Sequence, residues 1–344
     1  MKVYAIAGRK ISIMRQKNLS NDELQDRVDV FIKAIEDDGL DHDEFMELFA
    51  SHRFNTRNIA KAAFVAKNYF PPEMYIDADT DVRDGLIKIL SNPECGNRTI
   101  VDNVLLCLAI IGDDVVKKQF WEWEKNPMPW RKSLYVGSEF YAQKGGYTFD
   151  EEGNEIKLVY DKCHELRKGD YKISPIKIGK VREADCPMCE MKLVDIVTIN
   201  GNDKRLKHIG INGTVTSTIC VNCVSFYDMY SKYELDGSAN LIGEYEAKEE
   251  CYVKPEELEV LANNTYSLGE EVHPHYGIHN NANTIGGFPH FVQDLKYLDC
   301  PTCGKKMKYL TQLHWDTIIE DMEGMLYIDI CLDCNVTGAF HQQT

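Results

Sequence analysis

The sequence predicts an α+β protein in which a stack of α-helical hairpins precedes a duplicated, β-rich domain. Three observations support this fold class. Apolar residues recur at three- and four-residue steps from about residue 20 to residue 132, which is typical of amphipathic helices. Shorter stretches of alternating polarity follow, separated by turn residues. In that later part the pattern Asp-Cys-Pro-x-Cys occurs twice, at 185–189 and 299–303, and each copy is followed about thirty residues later by Ile-Cys-x-x-Cys.

The helical domain is predicted to cover residues 1–135 and to contain six helices. In the first helix Ser20 is the expected N-cap and Gly39 the expected stop. The apolar face of this helix comprises Leu24, Val28, Phe31 and Ile35. Five further segments have the same periodicity: DHDEFMELFASH, RNIAKAAFVAKNYF, TDVRDGLIKILSN, RTIVDNVLLCLAIIG and DDVVKKQFWEWEKN. Residues 104–111, VLLCLAII, are apolar on all sides, which predicts a helix packed between neighbouring helices.

The segment LLCLAIIGDDVVKKQFWEWEKNP resembles a HEAT-type unit, because a Gly-Asp turn joins a buried helix to a second helix that ends at Pro127. No repeat of fixed period accompanies this unit. Pro127 and Pro129 cannot continue a helix and therefore end the helical domain. The HEAT-like resemblance implies a concave helical face of the kind that binds polypeptides.

The region after the helical domain is predicted to be rich in β-structure. Residues 136–175 connect the two domains, and YTFDEEGNEIKLVY indicates a β-hairpin at 147–160 around a Glu-Gly-Asn turn. The β-rich domain covers 176–344, with halves at about 176–255 and 256–344. Strands are predicted at 194–199 and 214–219 in the first half, and at 307–313 and 325–330 in the second.

The cysteines give the most specific signal in the chain. Eight of the twelve cysteines form four Cys-x-x-Cys pairs. Two cysteines at this spacing on a tight turn, a knuckle, present both sulfurs to one metal ion, and a second pair completes a tetrahedron. The sequence therefore predicts two structural zinc sites resembling those of zinc ribbons, with the ligands Cys186, Cys189, Cys220 and Cys223 in the first and Cys300, Cys303, Cys331 and Cys334 in the second.

The two cysteine quartets indicate an internal duplication. Each has the Asp-Cys-Pro-x-Cys knuckle, a following strand, and a glycine, Gly213 or Gly324, shortly before the late cysteine pair. The two halves are expected to pack about a pseudo-twofold axis. A cross-pairing of knuckles between the halves would use the same eight ligands and stays an alternative.

Two other chemistries compete with structural zinc. Redox-active Cys-x-x-Cys motifs usually occur singly at a helix N-terminus, whereas here four pairs stand next to strand-like sequence. Iron–sulfur clusters also use four thiolates. A closed shell of four sulfurs leaves no open coordination position, so it stabilises a fold and activates no water. Zinc in a structural role is therefore the leading interpretation, and the four single cysteines, Cys95, Cys107, Cys163 and Cys251, are interpreted as buried apolar residues or bystanders.

Charge and hydropathy exclude several classes of partner. The chain has 39 Lys and Arg against 55 Asp and Glu, a net charge of −16, so a nucleic-acid partner is not expected. The same charge suits a basic polypeptide, although it also serves plain solubility. No apolar run approaches the roughly 20 residues that a bilayer requires. The apolar run within MKVYAIAGRK is too short for a secretory signal. The expected location is the cytoplasm.

Three further groups of residues are candidate sites. The segment HPHYGIHNNANTIGGFPHF contains His273, His275, His279 and His290 together with Asn280, Asn281 and Asn283, and it is interpreted as an ordered loop rather than a metal site because no carboxylate stands at a suitable spacing. Cys163 and His164 are adjacent in a predicted strand and so point to opposite faces, which argues against a nucleophile–base pair. The aromatic residues Trp121, Trp123 and Trp130 are expected to anchor a core.

The order of motifs in 284–344 carries a family resemblance. IGGFPHFVQ, Cys-x-x-Cys, MKYLTQLH and GMLYIDICLDC resemble the YwqG-like bacterial family of unknown function and the N-terminal half of the eukaryotic programmed-cell-death-protein-two family. The resemblance covers about 60 residues with the motifs in this order. A looser match covers about 175 residues. It implies a duplicated β-rich domain without an established catalytic residue. Eukaryotic relatives act as dedicated chaperones of a new ribosomal small-subunit protein, and some bacterial relatives have been suggested as immunity proteins of toxin systems.

This chain departs from the resembled families in its helical N-terminal region and in its two full cysteine quartets. The leading hypothesis is a non-enzymatic zinc-binding protein that acts as a protein-interaction or chaperone-like module. The alternatives are a thiol-disulfide oxidoreductase that uses a Cys-x-x-Cys pair, a hydrolase built around the histidine-rich loop, and an immunity protein of a toxin system. Motifs of serine hydrolases, zinc proteases and dinucleotide-binding enzymes are not found.

Overall fold

The computed structural model describes residues 19–169, 174–245, 250–261, 266–279, 282–320 and 322–343. The segment MKVYAIAGRK, from which the absence of a secretory signal was predicted, lies outside these residues, as do Asn280 and Asn281. Within the described ranges no helix is long and apolar enough to cross a bilayer.

Helices dominate the first part of the described chain, and all six predicted helices are present. They are α1 (Asn21–Glu36), α2 (His42–Ser51), α3 (Arg57–Ala66), α4 (Thr80–Leu90), α5 (Arg98–Ile111) and α6 (Asp114–Lys125). A short α7 (Ser138–Ala142) follows, and α8 (Pro255–Leu261) lies later in the chain. The predicted N-cap is confirmed: the Ser20 hydroxyl accepts a hydrogen bond from the Glu23 backbone, and the Glu23 carboxylate accepts one from the Ser20 backbone.

The core of the helical region forms around α5. Residues 104–111 of this helix are buried on most of its circumference, as their apolar sequence predicts. Trp123 and Trp130 are also buried, with their rings 5.6 Å apart, and the Trp130 indole donates a hydrogen bond of 2.7 Å to the Leu90 carbonyl. Trp121 is half-buried and lies against Gly153 of the β-hairpin. Through Trp123 and Trp121, α6 therefore packs against Trp130 and against the β-hairpin.

The rest of the described chain is rich in β-structure. Its strands are β1 (Tyr147–Phe149), β2 (Glu155–Lys157), β3 (Cys163–Lys168), β4 (Ile176–Asp185), β5 (Lys192–Asn200), β6 (Thr214–Ile219), β7 (Met229–Tyr233), β8 (Ala239–Ile242), β9 (Tyr266–Val272), β10 (Thr284–Gly286), β11 (Lys308–His314), β12 (Met325–Cys331) and β13 (Val336–Gln342). The α+β fold class is confirmed, as are the predicted hairpin β1–β2 and the four strands predicted around the cysteine pairs.

Three sheets contain these strands. β1 and β2 form the hairpin, β4-β5-β6 form a three-stranded sheet, and the order β8-β7-β13-β12-β11-β10-β3-β9 forms an eight-stranded sheet. Strands from both predicted halves share the large sheet, because β7 pairs antiparallel with β13. β3, from the predicted connecting segment, lies between β10 and β9.

The large sheet buries both of its faces. Leu310, Ile328 and Ala339 belong to a core that also contains Ile196 and Ile219 of the small sheet. The alternate residues Tyr309, Tyr327 and Phe340 belong to a second core, which includes Leu158 and Tyr297. This follows from the period of two along a strand, which sends successive side chains to opposite faces.

The histidine-rich segment joins the helical and β-rich regions. The His275 ring stacks on Phe288 at 4.0 Å and lies 5.0 Å from the ring of Phe49 in α2. His273 lies 5.2 Å from the same phenylalanine ring, and the His279 ring nitrogen is hydrogen-bonded to the Ser51 hydroxyl at 2.8 Å. These histidines therefore serve as packing residues at the boundary between the two regions.

Burial makes this boundary sensitive to acid. It lowers the pKa of His273 to about 4 and that of His275 well below its ordinary value of 6.5. Between about pH 6.5 and pH 4 the unfolded chain therefore binds protons that the folded chain does not, and stability is lost as the pH falls. We expect the free energy of unfolding, measured by denaturant titration, to fall by up to about 1.4 kcal/mol per pH unit for each histidine.

His275→Phe is the matched variant, because it keeps the aromatic stack on Phe288 and removes the titrating group. The dependence of its stability on pH should be shallower than that of the natural chain. Equal slopes in the two proteins would contradict a role for His275 in the acid response.

Candidate metal centres

The first cysteine cluster lies at one end of the three-stranded sheet. Cys186 and Cys189 lie in the turn between β4 and β5, and Cys220 and Cys223 follow β6. All four sulfurs lie within 4.8 Å of one another. The Cys186 and Cys223 sulfurs are 3.7 Å apart and those of Cys189 and Cys220 are 3.4 Å apart. Cys189 is half-buried and the other three are buried, so it is the cysteine of this cluster nearest to solvent.

The second cluster has the same construction on the large sheet. Cys300 and Cys303 precede β11, Cys331 ends β12, and Cys334 lies in the turn before β13. These four sulfurs also lie within 4.8 Å of one another. Cys303 is exposed and Cys334 is half-buried, so this cluster is the more open of the two. The structure thus groups the knuckles within each half, and the cross-paired arrangement does not occur.

The two early knuckles have the same backbone geometry. The amide of Glu190 bonds to the Cys186 carbonyl at 3.0 Å, and the amide of Gly304 bonds to the Cys300 carbonyl at 2.8 Å. Both residues follow the second cysteine of the pair, and both have left-handed backbone angles, with φ of 63° and 72°. Such a turn suits glycine, and the first knuckle carries glutamate at this position instead.

The thiols of each cluster are electrostatically coupled. Hydrogen bonds from the Cys220 and Cys223 thiols lower the pKa of Cys186, and the same contact with Cys186 raises the pKa of Cys220. In the second cluster the Lys305 backbone amide lowers the pKa of Cys303, while the hydrogen bond with Cys303 raises the pKa of Cys334. Four thiolates in one place repel one another, so full deprotonation requires a cation among them.

The donor set fits a metal ion that prefers sulfur. Each cluster offers four cysteine sulfurs and, as grouped, neither a carboxylate nor an imidazole. Four soft ligands around one point are typical of structural zinc and also occur in iron–sulfur proteins. Zn²⁺ held by four sulfurs would have no open coordination position. It would hold the two turns together and would not activate water.

The other residues considered from the sequence do not assemble a metal site. Among the described residues, the two cysteine quartets are the groups of three or more His, Cys, Asp or Glu close enough to share an ion. Cys163 and His164 are both buried in β3, in register with Val272 and Glu271 of β9. Cys107 is buried in the helical core, where its thiol lies 3.2 Å from the Tyr69 carbonyl.

One residue beside the first cluster was not predicted to be near it. Cys251 is exposed, and its sulfur lies 3.9 Å from the Cys189 carbonyl oxygen. The segment that carries it is held by the buried side chain of Asn222, which donates to the Glu250 carbonyl at 3.1 Å and accepts from the Tyr252 amide at 2.8 Å. Cys251 stands outside any Cys-x-x-Cys spacing, so only the folded chain brings it to the cluster.

The shared turn geometry predicts opposite effects of two substitutions. Glu190→Gly should raise the free energy of unfolding by about 1 kcal/mol, because glycine adopts the left-handed conformation without the clash of a Cβ atom. Gly304→Ala should lower it by a similar amount. A Cβ at Gly304 would meet no atom within 4 Å, so the cost would be conformational alone.

Denaturant titration of the two metal-loaded variants beside the natural chain measures both effects. A loss of stability in Glu190→Gly would show that the glutamate side chain contributes more than the strained backbone costs.

The chain is similar to the uncharacterized protein YpfL of Salmonella typhimurium, at 28 % identity over 343 residues, covering 95 % of this chain and 79 % of that protein. No protein-family model matches the chain. No solved structure matches it either.

Proposed function

We propose that the chain is a non-enzymatic zinc-binding protein that serves as a protein-interaction or chaperone-like module. The observation that carries the metal assignment is the convergence of four cysteine sulfurs, within 4.8 Å of one another, at two equivalent places in the β-rich region. A closed four-sulfur shell suits a structural ion. We place the protein in the cytoplasm, where cysteine thiols stay reduced.

The surroundings of the cysteine pairs favour structural zinc over redox catalysis. In the part of the chain that the structure describes, each pair lies on a turn beside a strand, and none begins an α-helix. A catalytic pair needs the helix dipole or a nearby cation to lower the pKa of one exposed thiol. The first cluster instead buries three of its four cysteines.

In this proposal each zinc ion closes a β-hairpin. The ion in the first cluster would tie the turn before β5 to the turn after β6, and the ion in the second would tie the turn before β11 to the turn after β12. Binding of a structural ion contributes directly to folding, because the ligands are dispersed in the unfolded chain.

The partner class is proposed from charge and from the family resemblance. Exposed carboxylates line the outer side of α1, the loop that leads to α2 and the first turn of α2, a surface that we call the acidic face. It comprises Asp22, Asp26, Asp29, Glu36, Asp37, Asp38, Asp41 and Asp43. With a net charge of −16, such a face attracts a basic polypeptide over several ångströms at low salt. A basic client also suits the ribosomal-protein chaperones among the resembled eukaryotic proteins.

The metal assignment predicts matched losses in two variants. Cys220→Ser and Cys331→Ser replace equivalent buried ligands of the first and second clusters. Elemental analysis of the untagged natural protein should find two zinc ions per chain, and each variant should retain one. Each variant serves as the control of the other.

Each variant should also be less stable by several kcal/mol, because the free energy of structural zinc binding is on the order of 10 kcal/mol. Iron in place of zinc would contradict the assignment. A metal-free protein whose cysteine pairs form disulfides would instead support the thiol-disulfide oxidoreductase.

The partner proposal predicts binding that depends on salt and on the acidic face. Protein captured on this chain at low ionic strength should be basic and should be released near 1 M salt, where the Debye length is about 3 Å. Neutralising Asp22, Asp26 and Glu36 to the amides should weaken that capture.

The matched control neutralises three exposed carboxylates elsewhere, Glu151, Glu152 and Glu256. Equal weakening by both triple variants would show that net charge, and not the acidic face, attracts the partner. The absence of any stoichiometric partner at low salt would contradict the interaction role.

A further inference from the structure

We infer that Cys189 and Cys251 form an oxidation site, in which a hydroperoxide converts the two thiols into a disulfide and thereby opens the first metal centre. This inference rests on the proposed occupancy of that centre by zinc. It concerns one cluster only, because the second cluster has no additional cysteine in its half that could act as Cys251 does.

Three structural observations place the two residues for this reaction. Cys189 is the member of the first cluster that reaches toward solvent. Cys251 is exposed, and its sulfur lies 3.9 Å from the Cys189 carbonyl oxygen. A disulfide between them requires the two sulfurs to approach to about 2 Å.

The position of Cys251 is maintained by the first cluster itself. Asn222 lies between the ligands Cys220 and Cys223, and its buried amide bonds to the backbone of Glu250 and Tyr252 on either side of Cys251. The corresponding residue of the second cluster is Asp333, whose side chain is 77 % exposed. The late knuckle of the first cluster therefore carries a polar anchor for a fifth thiol, and the late knuckle of the second cluster does not.

The chemistry balances with a hydroperoxide as oxidant. The Cys189 thiolate sulfur attacks the terminal oxygen of the hydroperoxide, the O–O bond breaks, and the alkoxide leaves, or hydroxide in the case of hydrogen peroxide, so that the cysteine becomes a sulfenic acid and the peroxide is reduced. The Cys251 sulfur then displaces the hydroxyl group. An S–S bond forms, the S–O bond breaks, and the thiol proton leaves with the hydroxyl as water.

The disulfide changes the first cluster because it removes one of four ligands. Three thiolates bind zinc less tightly than four, so the ion of the first cluster should be lost before that of the second. A thiol reductant reverses the step by exchange at the disulfide. The β4-β5-β6 sheet would thus be loosened by oxidation while the large sheet kept its ion.

The test treats the two-zinc protein with hydrogen peroxide and follows two readouts. A chromogenic chelator reports zinc release, and non-reducing peptide mapping by tandem mass spectrometry identifies the disulfides. We expect one of the two zinc ions to leave in a faster phase, together with a cross-link between the tryptic peptide 183–192 and the peptide that contains Cys251. A reductant and added zinc should restore both ions.

Three variants separate the effect of Cys251 and its anchor from that of an unrelated cysteine. Cys251→Ser should abolish the cross-link and the faster phase of zinc release, whereas Cys95→Ser, at a half-buried cysteine of the helical region, should change neither. Asn222→Ala keeps the thiol but removes its anchor, and it should lower the yield of the cross-link.

Two outcomes would overturn the inference. One is a first disulfide within the quartet, such as Cys186 with Cys189, while Cys251 remains a free thiol. The other is release of both zinc ions at one rate that Cys251→Ser does not alter. If the purified protein contains no metal, the proposed zinc occupancy fails instead, and the same peptide map then decides whether Cys189 and Cys251 pair in the metal-free chain.

Discussion

Four sulfurs can share one ion only if the two turns that carry them are held side by side, and antiparallel strand pairing imposes this arrangement in both halves of the β-rich region. The start of β5 lies opposite the end of β6, with Val194 paired to Ile219. The start of β11 lies opposite the end of β12 in the same way, with Lys308 paired to Ile330. Each early knuckle therefore meets the late knuckle of its own hairpin, and the grouping of the ligands follows from the hydrogen-bonded ladder.

The same construction has different surroundings in the two clusters, and this difference gives them different chemistry. The first cluster is mostly buried and is accompanied by Asn222 and the thiol of Cys251. The second has an exposed Cys303, and its Cys334 lies in the turn before β13, the strand of the large sheet that pairs with β7. The two clusters thus share one arrangement of four sulfurs while the side chains around them differ.

The helical region is attached to the β-rich region through aromatic and histidine side chains. Phe49 of α2 contacts His273 and His275, and Trp121 of α6 lies on the hairpin at Gly153. Buried imidazoles pack as flat, weakly polar rings while they remain neutral, so the same contacts that join the regions make the joint sensitive to acid. The acidic face and the two cysteine clusters therefore lie in regions that are joined by contacts of buried histidines.

The sequence by itself determined the features that depend on local chemistry. Periodicity placed the six helices and the strands around the cysteine pairs, the Ser20 N-cap was readable from its neighbours, and the Cys-x-x-Cys spacing identified the eight cysteines of the two clusters. The tertiary structure alone decided the grouping of those cysteines, the pairing of β7 with β13, and the approach of Cys251 to Cys189. These contacts join residues far apart in the chain, and they are selected by the burial of apolar surface and by hydrogen bonds of the whole fold, which no short stretch of sequence encodes.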